Sequence, residues 1–386
     1  MSLATLIGVP FAVILAMQAL SIGLTKRAPG LAVTLFPANG LAKEQVAFDS
    51  FQDKVKAGVS AEDAARANAP MAREALMSTP LAPRALAILA IAEANDKKRD
   101  AILDVGAQIN KRDLPLQSLL LERALERGNY SESVLILDRI LRVHPEYAER
   151  FFLPLAEAMA DPETIPAFID LLKDTAPWHH YFLAFAVTKP EAQVNLAQVR
   201  RSIVVDDKGL DRRLIRSLVN QQKFAAANKL YVFLSQVPDA ASDKQAGRLS
   251  WKADYPPFDW SMTDGRHLRA QPSRDGRQLE IFARSGEGGV VAQRLLQLSE
   301  AGEALAFEAY GGTLGASGKL ELRISCAISG ELIQSFDIRP GRNHVLLKSL
   351  SANCDQIILA INARAQSGRP TFRAVMSTIA IETNSD

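Results

Sequence analysis

The spacing of hydrophobic residues changes twice along the chain. Residues 2–25 contain no charged side chain. Between about residues 41 and 236, apolar positions recur every three or four residues, the spacing of a helix with one buried face. From residue 256 onward, apolar and polar residues alternate in short runs, which is typical of half-buried strands. The pattern predicts a multidomain α and β protein.

Stretches rich in turn-forming residues separate these regions. We expect a transmembrane anchor at 1–27, a linker at 28–40, a helical domain at 41–236, a second linker at 237–255 and an antiparallel β-sandwich at 256–386.

The first region is long enough to span a bilayer. A helix over residues 3–24 rises about 1.5 Å per residue and covers a hydrocarbon core of about 30 Å. Lys26 and Arg27 end the uncharged run. A cleaved signal peptide is the alternative, although it would carry basic residues ahead of a shorter apolar stretch. We therefore expect a single-pass membrane anchor.

Residues 114–147 predict two helices joined by a tight turn. This stretch resembles a tetratricopeptide repeat, a pair of helices of about 34 residues. The matching positions are Gly128 and Tyr130 in the turn, Ser133 at the helix crossing, Leu137 and Ile140 in the second helix, and the closing Pro145.

Weaker copies of this layout, such as residues 219–234, extend the resemblance to an α-solenoid of about five or six helix pairs. Solenoids of this family commonly bind a protein or peptide in their concave groove. The resemblance therefore implies a protein partner for the helical array. A spacer or a closed bundle without a groove ligand is the alternative.

Strict alternation marks the C-terminal region. Over residues 319–326, Leu320, Leu322, Ile324 and Cys326 share one face of a predicted strand. Similar runs predict about eight strands in about 130 residues, which favours an antiparallel sandwich.

The sandwich region resembles jelly-roll carbohydrate-binding modules in residues 257–260 (Pro-Phe-Asp-Trp), in residues 292–295 and in its two cysteines. Taken together, the chain resembles bacterial membrane-anchored tetratricopeptide-repeat proteins with a C-terminal carbohydrate-binding-module-like domain. This resemblance implies a glycan as a further partner, with Trp260 as the candidate platform for a sugar ring. After Trp260 the region has only five aromatic residues, Phe282, Phe307, Tyr310, Phe336 and Phe372, and several of them lie in alternating runs, where we expect core positions.

Cys326 lies on the apolar face of its predicted strand, and Cys354 opens another strand. We expect a disulfide between them, which suits an oxidising compartment. Two unpaired core cysteines in a reducing compartment are the alternative. The disulfide favours the periplasmic side of the bacterial inner membrane, whereas Lys26 and Arg27 favour a cytoplasmic orientation, which stays open.

The composition and the motifs exclude several classes of function. With 45 Lys and Arg against 43 Asp and Glu, the chain has no bulk positive charge for nucleic acid. Five His and two Cys are too few for a Cys-rich metal protein. The Gly-rich residues 311–320 have Thr313 and Leu320 where a phosphate loop requires Gly and Ser or Thr.

The sequence therefore indicates no catalytic residue, cofactor or metal site. The function it favours is a non-enzymatic scaffold or accessory subunit of a bacterial envelope assembly, with polysaccharide synthesis or export as the candidate process. The alternative is a glycan-binding module carried on a helical stalk.

Overall fold

The computed structural model describes residues 3–235, 247–297, 303–347, 354 and 356–383, with residues 3–10, 303 and 383 described by their backbone alone. The chain divides into two compact units. One unit comprises residues 1–151 and 166–178, and the other comprises residues 152–165 and 179–386. The second unit therefore combines helices with the sandwich.

The described part of the chain is helical up to residue 235. The helices are α1 (Leu3–Leu24), α2 (Pro29–Leu35), α3 (Gly40–Lys56), α4 (Ala61–Ser78), α5 (Pro83–Ala92), α6 (Asp96–Ile109), α7 (Leu114–Glu126), α8 (Tyr130–Val143), α9 (Ala148–Met159), α10 (Ile165–Lys173), α11 (Pro177–Ala186), α12 (Gln193–Arg200), α13 (Lys208–Asn220) and α14 (Phe224–Ser235). Single 3-10 turns precede α9 and α10.

Short polar residues fix where many helices begin. A side-chain oxygen at the N-cap accepts a hydrogen bond from a backbone N–H in the first turn and so satisfies a donor that has no partner within the helix. The residues that do so are Asn39, Ser60, Asn95, Asp113, Asn129 and Asp207.

The predicted helix pair at residues 114–147 is present as α7 and α8. Gly128 forms the turn with a φ of +64°, a conformation that glycine adopts without strain. Ser133, Leu137 and Ile140 are buried, and Pro145 begins the 3-10 turn that follows α8. Tyr130 is exposed at the start of α8. The helix pair is confirmed, whereas membership of the repeat family stays a prediction.

The predicted anchor forms α1, and its first side chains lie outside the described residues. Within the described residues we find no helix whose length and apolar composition would carry it across a bilayer. The first predicted linker contains α2, where Pro29 occupies the first turn and pre-sets the helical φ.

The sandwich contains short strands in two antiparallel sheets. The strands are β1 (Arg248–Leu249), β2 (Ser261–Met262), β3 (Leu268–Pro272), β4 (Gln278–Ala283), β5 (Gly288–Gln297), β6 (Glu303–Tyr310), β7 (Gly318–Cys326), β8 (Leu332–Ile338), β9 (Gly341–Leu346), β10 (Gln356–Ala365), β11 (Phe372–Ser377) and β12 (Ile379–Thr383). One sheet has the order β1-β12-β6-β11-β4-β3, with β9 also paired to β6, and the other has the order β2-β5-β10-β7-β8.

The predicted alternation in β7 is confirmed, because its apolar side chains are buried in the core of the sandwich. The predicted disulfide is confirmed as well: Cys326 and Cys354 are bonded, with their Cα atoms 5.8 Å apart.

Part of the second predicted linker belongs to the sandwich. Residues 237–246 lie outside the described residues. Arg248 and Leu249 form β1, which pairs with β12, and Leu249 and Trp251 are buried in the sandwich core. Residues 248–251 join the sandwich because the Leu249 and Trp251 side chains are removed from water there.

Candidate functional site

The tryptophan that the sequence favoured as a ligand platform is a core residue. Trp260 is 0% exposed, and its ring centroid lies 4.6 Å from that of Trp251. Its backbone N–H donates to the carbonyl of Lys252 at 2.9 Å. Trp260 therefore offers no surface to a sugar, and the prediction was wrong because its partner lies in a segment that reads as a polar linker.

Asp259, beside Trp260, fixes the entry to the sandwich within the second unit. Its buried carboxylate accepts hydrogen bonds from the Tyr231 hydroxyl at 3.0 Å and from the Tyr255 backbone N–H at 2.8 Å. Tyr231 also stacks on Phe258, with ring centroids 5.1 Å apart. These residues hold the end of α14 against the start of the sandwich, which is a structural role.

A different surface, the outward side of the larger sheet, combines aromatic rings with polar groups. Alternation in β4 turns Leu279, Ile281 and Ala283 into the core and leaves the intervening side chains outside. We use the name outer face for the outward side chains of β3, β4, β6, β9 and β11 that form this surface: Arg269, Gln271, Glu280, Phe282, Glu308, Tyr310, Arg342 and Arg373.

Phe282 lies at the middle of one row of the outer face. The strand register places it opposite Arg373 on one side and Arg269 on the other. The guanidinium carbons of these arginines lie 5.3 and 5.8 Å from the ring centroid, within the range of a cation–π contact. The two arginines hold the ring in place and flank it with hydrogen-bond donors.

Tyr310 begins the neighbouring row. Val375 pairs with both Tyr310 and Glu280, and Glu280 pairs with Gln271. The Gln271 amide donates to a Glu280 carboxylate oxygen at 3.2 Å. This row therefore presents a ring, a carboxylate and an amide across three strands.

The Tyr310 side chain is 39% exposed, and its hydroxyl donates to a Glu308 carboxylate oxygen at 3.1 Å. This hydrogen bond raises the pKa of Tyr310 above its ordinary value. The hydroxyl therefore keeps its proton at neutral pH, and the ring is oriented by a carboxylate on the same strand.

A hollow of about 420 Å³ adjoins the outer face on the β9 side. Glu308 and Arg342 line it, together with His344, whose Nε2 lies 3.3 Å from a carboxylate oxygen of Glu382. A second hollow of about 570 Å³ shares Arg248, Ser377 and Thr378 with the first. The larger sheet thus carries rings, flat polar groups and shallow recesses on one side.

This arrangement has the chemistry to bind a sugar. Each sugar hydroxyl is a donor and an acceptor, so it pairs with the carboxylates, amides and guanidinium groups that this surface presents. The electron-rich face of an aromatic ring packs against the C–H groups of a sugar ring. Three arginines and two glutamates of the outer face partly offset one another, which suits a neutral ligand.

The structure places Phe282 and Tyr310 on the outer face, among five aromatic residues of which several were expected in the core. Phe307 and Phe372 are buried, as expected. The signal that distinguishes them is alternation within each strand: Phe282 lies on the same face as the polar Gln278 and Glu280, and Tyr310 lies on the same face as Glu308.

The first unit has a separate hollow of about 430 Å³ between α4, α5, α6 and α7. Its apolar lining includes Ile91, Leu103 and Leu119, and its rim carries more carboxylates than cations. Three of its arginines already form ion pairs with aspartates of α6: Arg99 with Asp96 at 2.9 Å, Arg123 with Asp104 at 2.7 Å and Arg127 with Asp100 at 2.5 Å.

The remaining charges of this hollow are mainly acidic. Glu62, Glu122 and Glu126 line it, and they make no ion pair or hydrogen bond within the part of the chain that the structure describes. We call this surface the acidic groove. It complements a basic segment rather than an acidic one.

The second unit contains a buried ion pair. Arg200 donates to both carboxylate oxygens of Asp211, at 2.8 and 3.0 Å, and to the carbonyls of Ile203 and Val205. Burial raises the pKa of Asp211, although Arg200 opposes this effect. The pair joins α12 to α13. Among the described residues, no cluster of His, Cys, Asp and Glu is arranged to hold a metal ion.

Comparison with known proteins finds no family model and no curated protein that matches the chain. Solved structures give distant matches. The carbohydrate-binding module TmCBM61, solved with β-1,4-galactotriose, is 10% identical, with 36% of this chain and 93% of that one covered and a TM-score of 0.25.

The glucuronidase BtGH115A, of family GH115 and specific for decorated arabinogalactans, is 8% identical, with 75% of this chain covered and a TM-score of 0.21. The match spans 44% of the glucuronidase, less than half of its length. With TM-scores this low, neither likeness assigns a ligand to the chain.

Proposed function

We propose that this protein binds a neutral carbohydrate through the outer face of its sandwich. The observation that carries the proposal is the pair of outward-facing rings on adjacent rows, the half-buried Phe282 and the exposed Tyr310, each supported by charged neighbours. The rings supply stacking surfaces, and Gln271, Glu280 and Glu308 supply acceptors for sugar hydroxyls.

A glycan array with the detergent-solubilised full chain tests this proposal. Losing a stacking ring removes about 1 to 1.5 kcal/mol of binding, so Tyr310→Ala and Phe282→Ala should each weaken binding about five- to tenfold. Tyr310→Phe keeps the ring and should weaken binding less than Tyr310→Ala does.

The matched control is Tyr181→Ala, which removes a ring that is 67% exposed on α11. It should leave glycan affinity unchanged. A chain that binds no glycan, or that binds equally well with both outer-face rings removed, would contradict the proposal.

We also propose that residues 3–24, which carry no charged side chain, anchor the chain in the bacterial inner membrane by a single pass, with the rest of the chain in the periplasm and the helices as a stalk. The described residues of α1 do not by themselves meet the requirement for a membrane span, so this proposal rests on the sequence. The Cys326–Cys354 disulfide supports the periplasmic side, because disulfides persist in oxidising compartments. A phosphatase fused after Asp386 should be active in cells. An inactive phosphatase together with an active cytoplasmic reporter at the same position would reverse the orientation.

The proposed role is binding without catalysis. Two buried carboxylates have a raised pKa, Glu44 and Asp211, and each is engaged in contacts that join helices. A raised pKa at such positions reflects burial in the helical packing rather than a general acid poised in a cleft.

A second candidate function is a scaffold of the envelope assembly that holds a protein partner in the acidic groove. The free carboxylates of Glu62, Glu122 and Glu126 favour a basic partner segment. A fluorescent Lys- and Leu-rich peptide should bind the full chain, and Glu122→Lys with Glu126→Lys should abolish this binding. Equal affinity for a Glu- and Leu-rich peptide would exclude this function.

A further inference from the structure

One end of the first unit exposes large apolar side chains. Leu31 in α2, Leu41 in α3, Met77 in α4 and Leu81 before α5 are 53%, 48%, 86% and 67% exposed. We call this surface the apolar end. Single exposed apolar residues are ordinary, but four such residues at one end of a domain indicate an apolar contact.

The fold brings these four residues together. Helices α3 and α4 are joined by a short turn, so the start of α3 meets the end of α4. At Gly40 an added Cβ would lie 2.7 Å from the carbonyl oxygen of Ala75, so the two backbones are in close contact. The start of α5 joins the same end, because the Glu44 carboxylate accepts the Arg84 backbone N–H at 2.7 Å.

The last turn of α1 is fixed to this end by buried hydrogen bonds. The Asn39 amide donates to the hydroxyls of Ser21 and Thr25, at 2.9 and 3.0 Å. The Ser21 hydroxyl donates to the carbonyl of Ala32 at 2.8 Å. The Asn39 side-chain oxygen also caps α3 by accepting the Ala42 backbone N–H. The apolar end therefore surrounds the point where α1 leaves the helical unit.

The apolar end carries no charged residue, and the exposed charges around it are mainly basic. Residues 28–42 and 75–83 contain no Asp, Glu, Lys or Arg. The exposed cations Lys26, Arg27 and Arg73 border these two stretches. The other charged residues within two positions are paired or buried: Lys43 pairs with Glu74 at 3.0 Å, Arg84 pairs with Asp113 at 3.4 Å, and Glu44 is buried. An apolar surface with a basic border is the pattern of a protein surface that lies at the boundary of an anionic bilayer.

We propose that the apolar end lies in the headgroup region of an anionic lipid bilayer, with Leu31, Leu41, Met77 and Leu81 in contact with the upper acyl chains. The contact rests on the anchoring of α1 proposed above. The hydrogen bonds from Asn39 to Ser21 and Thr25 then hold the first unit at the membrane surface, instead of leaving it joined to the anchor by a linker alone.

Depth-dependent quenching tests the contact in the full chain. The native cysteines are bonded to each other, so a single introduced cysteine can be labelled with an environment-sensitive dye under non-reducing conditions. Met77→Cys and Leu81→Cys are placed in vesicles of phosphatidylethanolamine and phosphatidylglycerol. A lipid that carries a spin label at its headgroup should quench both dyes at least about twofold more than it quenches a dye at Val204→Cys, which is 98% exposed in the second unit.

A third label separates this proposal from the anchor. Leu15→Cys lies within α1 and should be quenched by a spin label deep in the acyl chains. If Leu15 is quenched while positions 77 and 81 behave like position 204, the anchor stands and the surface contact is wrong. If Leu15 is not quenched, the anchor itself is wrong.

Replacing phosphatidylglycerol with phosphatidylcholine tests the basic border. Headgroup quenching at positions 77 and 81 should fall, whereas deep quenching at position 15 should not change. If headgroup quenching at positions 77 and 81 does not depend on lipid charge, the role given to Lys26, Arg27 and Arg73 is wrong. Shielding of these dyes from water without quenching by lipid would show that a protein covers the apolar end.

Discussion

Two polar side chains, Glu44 and Asn39, form hydrogen bonds with groups that lie far from them in the sequence. Helix α5 begins after Ala82, which has no side chain able to cap it. Glu44 of α3 supplies the missing acceptor for the backbone N–H groups of Arg84 and Ala85, at 2.7 and 3.3 Å. One carboxylate therefore joins two helices by capping the second from the first.

We predict that Glu44→Ala lowers the free energy of unfolding of the first unit by about 1 to 2 kcal/mol, because it leaves two buried donors without an acceptor. Glu44→Gln keeps an acceptor oxygen and should cost about half as much. Urea unfolding followed by circular dichroism measures both. Glu122→Ala is the control, since Glu122 is exposed on α7, and a loss equal to that of Glu44→Ala would argue against the cap.

Between elements, the Arg200–Asp211 pair, which joins two helices, makes the stability of the folded state depend on pH. Burial raises the pKa of Asp211 above 3.8, so the folded state holds this proton more tightly than the unfolded state does. Its contribution to stability is complete below the unfolded pKa and is lost as the pH rises through the raised folded pKa. The wild type should therefore lose stability relative to Asp211→Asn as the pH rises over this window.

Urea unfolding at a series of pH values measures this difference. Asp211→Ala should be less stable than the wild type by about 3 kcal/mol at neutral pH, because it removes both acceptor oxygens from the buried Arg200 guanidinium. Asp206→Asn, at an exposed neighbour, should not alter the pH profile. A difference between wild type and Asp211→Asn that is constant with pH would contradict the raised pKa.

The disulfide joins Cys326 at the end of β7 to Cys354, two positions before β10, with 28 positions of sequence separation. In the chain-entropy model a crosslink over a loop of this length stabilises the folded state by about 3 to 4 kcal/mol. We predict that Cys326→Ala with Cys354→Ala lowers the stability of the second unit by about that amount. Calorimetry measures it, and unchanged unfolding in a reducing agent would contradict the prediction.

Local pattern was enough to predict some elements and not others. The alternation in β7 and the turn at Gly128 are local, so the sequence predicted the sheet face and the helix pair around them. The burial of Trp260 was not predictable, because it depends on Trp251 in a segment with the composition of a linker. Alternation within β4 and β6 indicates that Phe282 and Tyr310 face outward, but their position on adjacent rows depends on which strands pair, and that pairing cannot be read from one strand alone.

At the scale of the whole molecule, the balance of charge distinguishes the two candidate functions. The chain has a formal net charge of +2, and residues 256–386 carry as many acidic as basic residues. A neutral glycan on the outer face would gain little from long-range attraction. A basic segment in the acidic groove would gain part of its affinity from charge, and added salt screens that part.

We predict that raising the salt concentration from about 0.05 M to about 0.5 M changes the glycan Kd by less than about twofold and raises the basic-peptide Kd by about tenfold or more. Titration calorimetry and fluorescence anisotropy, in one detergent and at one pH, measure the two constants on the same full chain. Glu122→Lys with Glu126→Lys serves as the control, because it should remove the salt-dependent binding and leave the glycan Kd unchanged. A glycan Kd that rises with salt as steeply as the peptide Kd would mean that the outer face attracts its ligand by charge, and the stacking role given to Phe282 and Tyr310 would then be wrong.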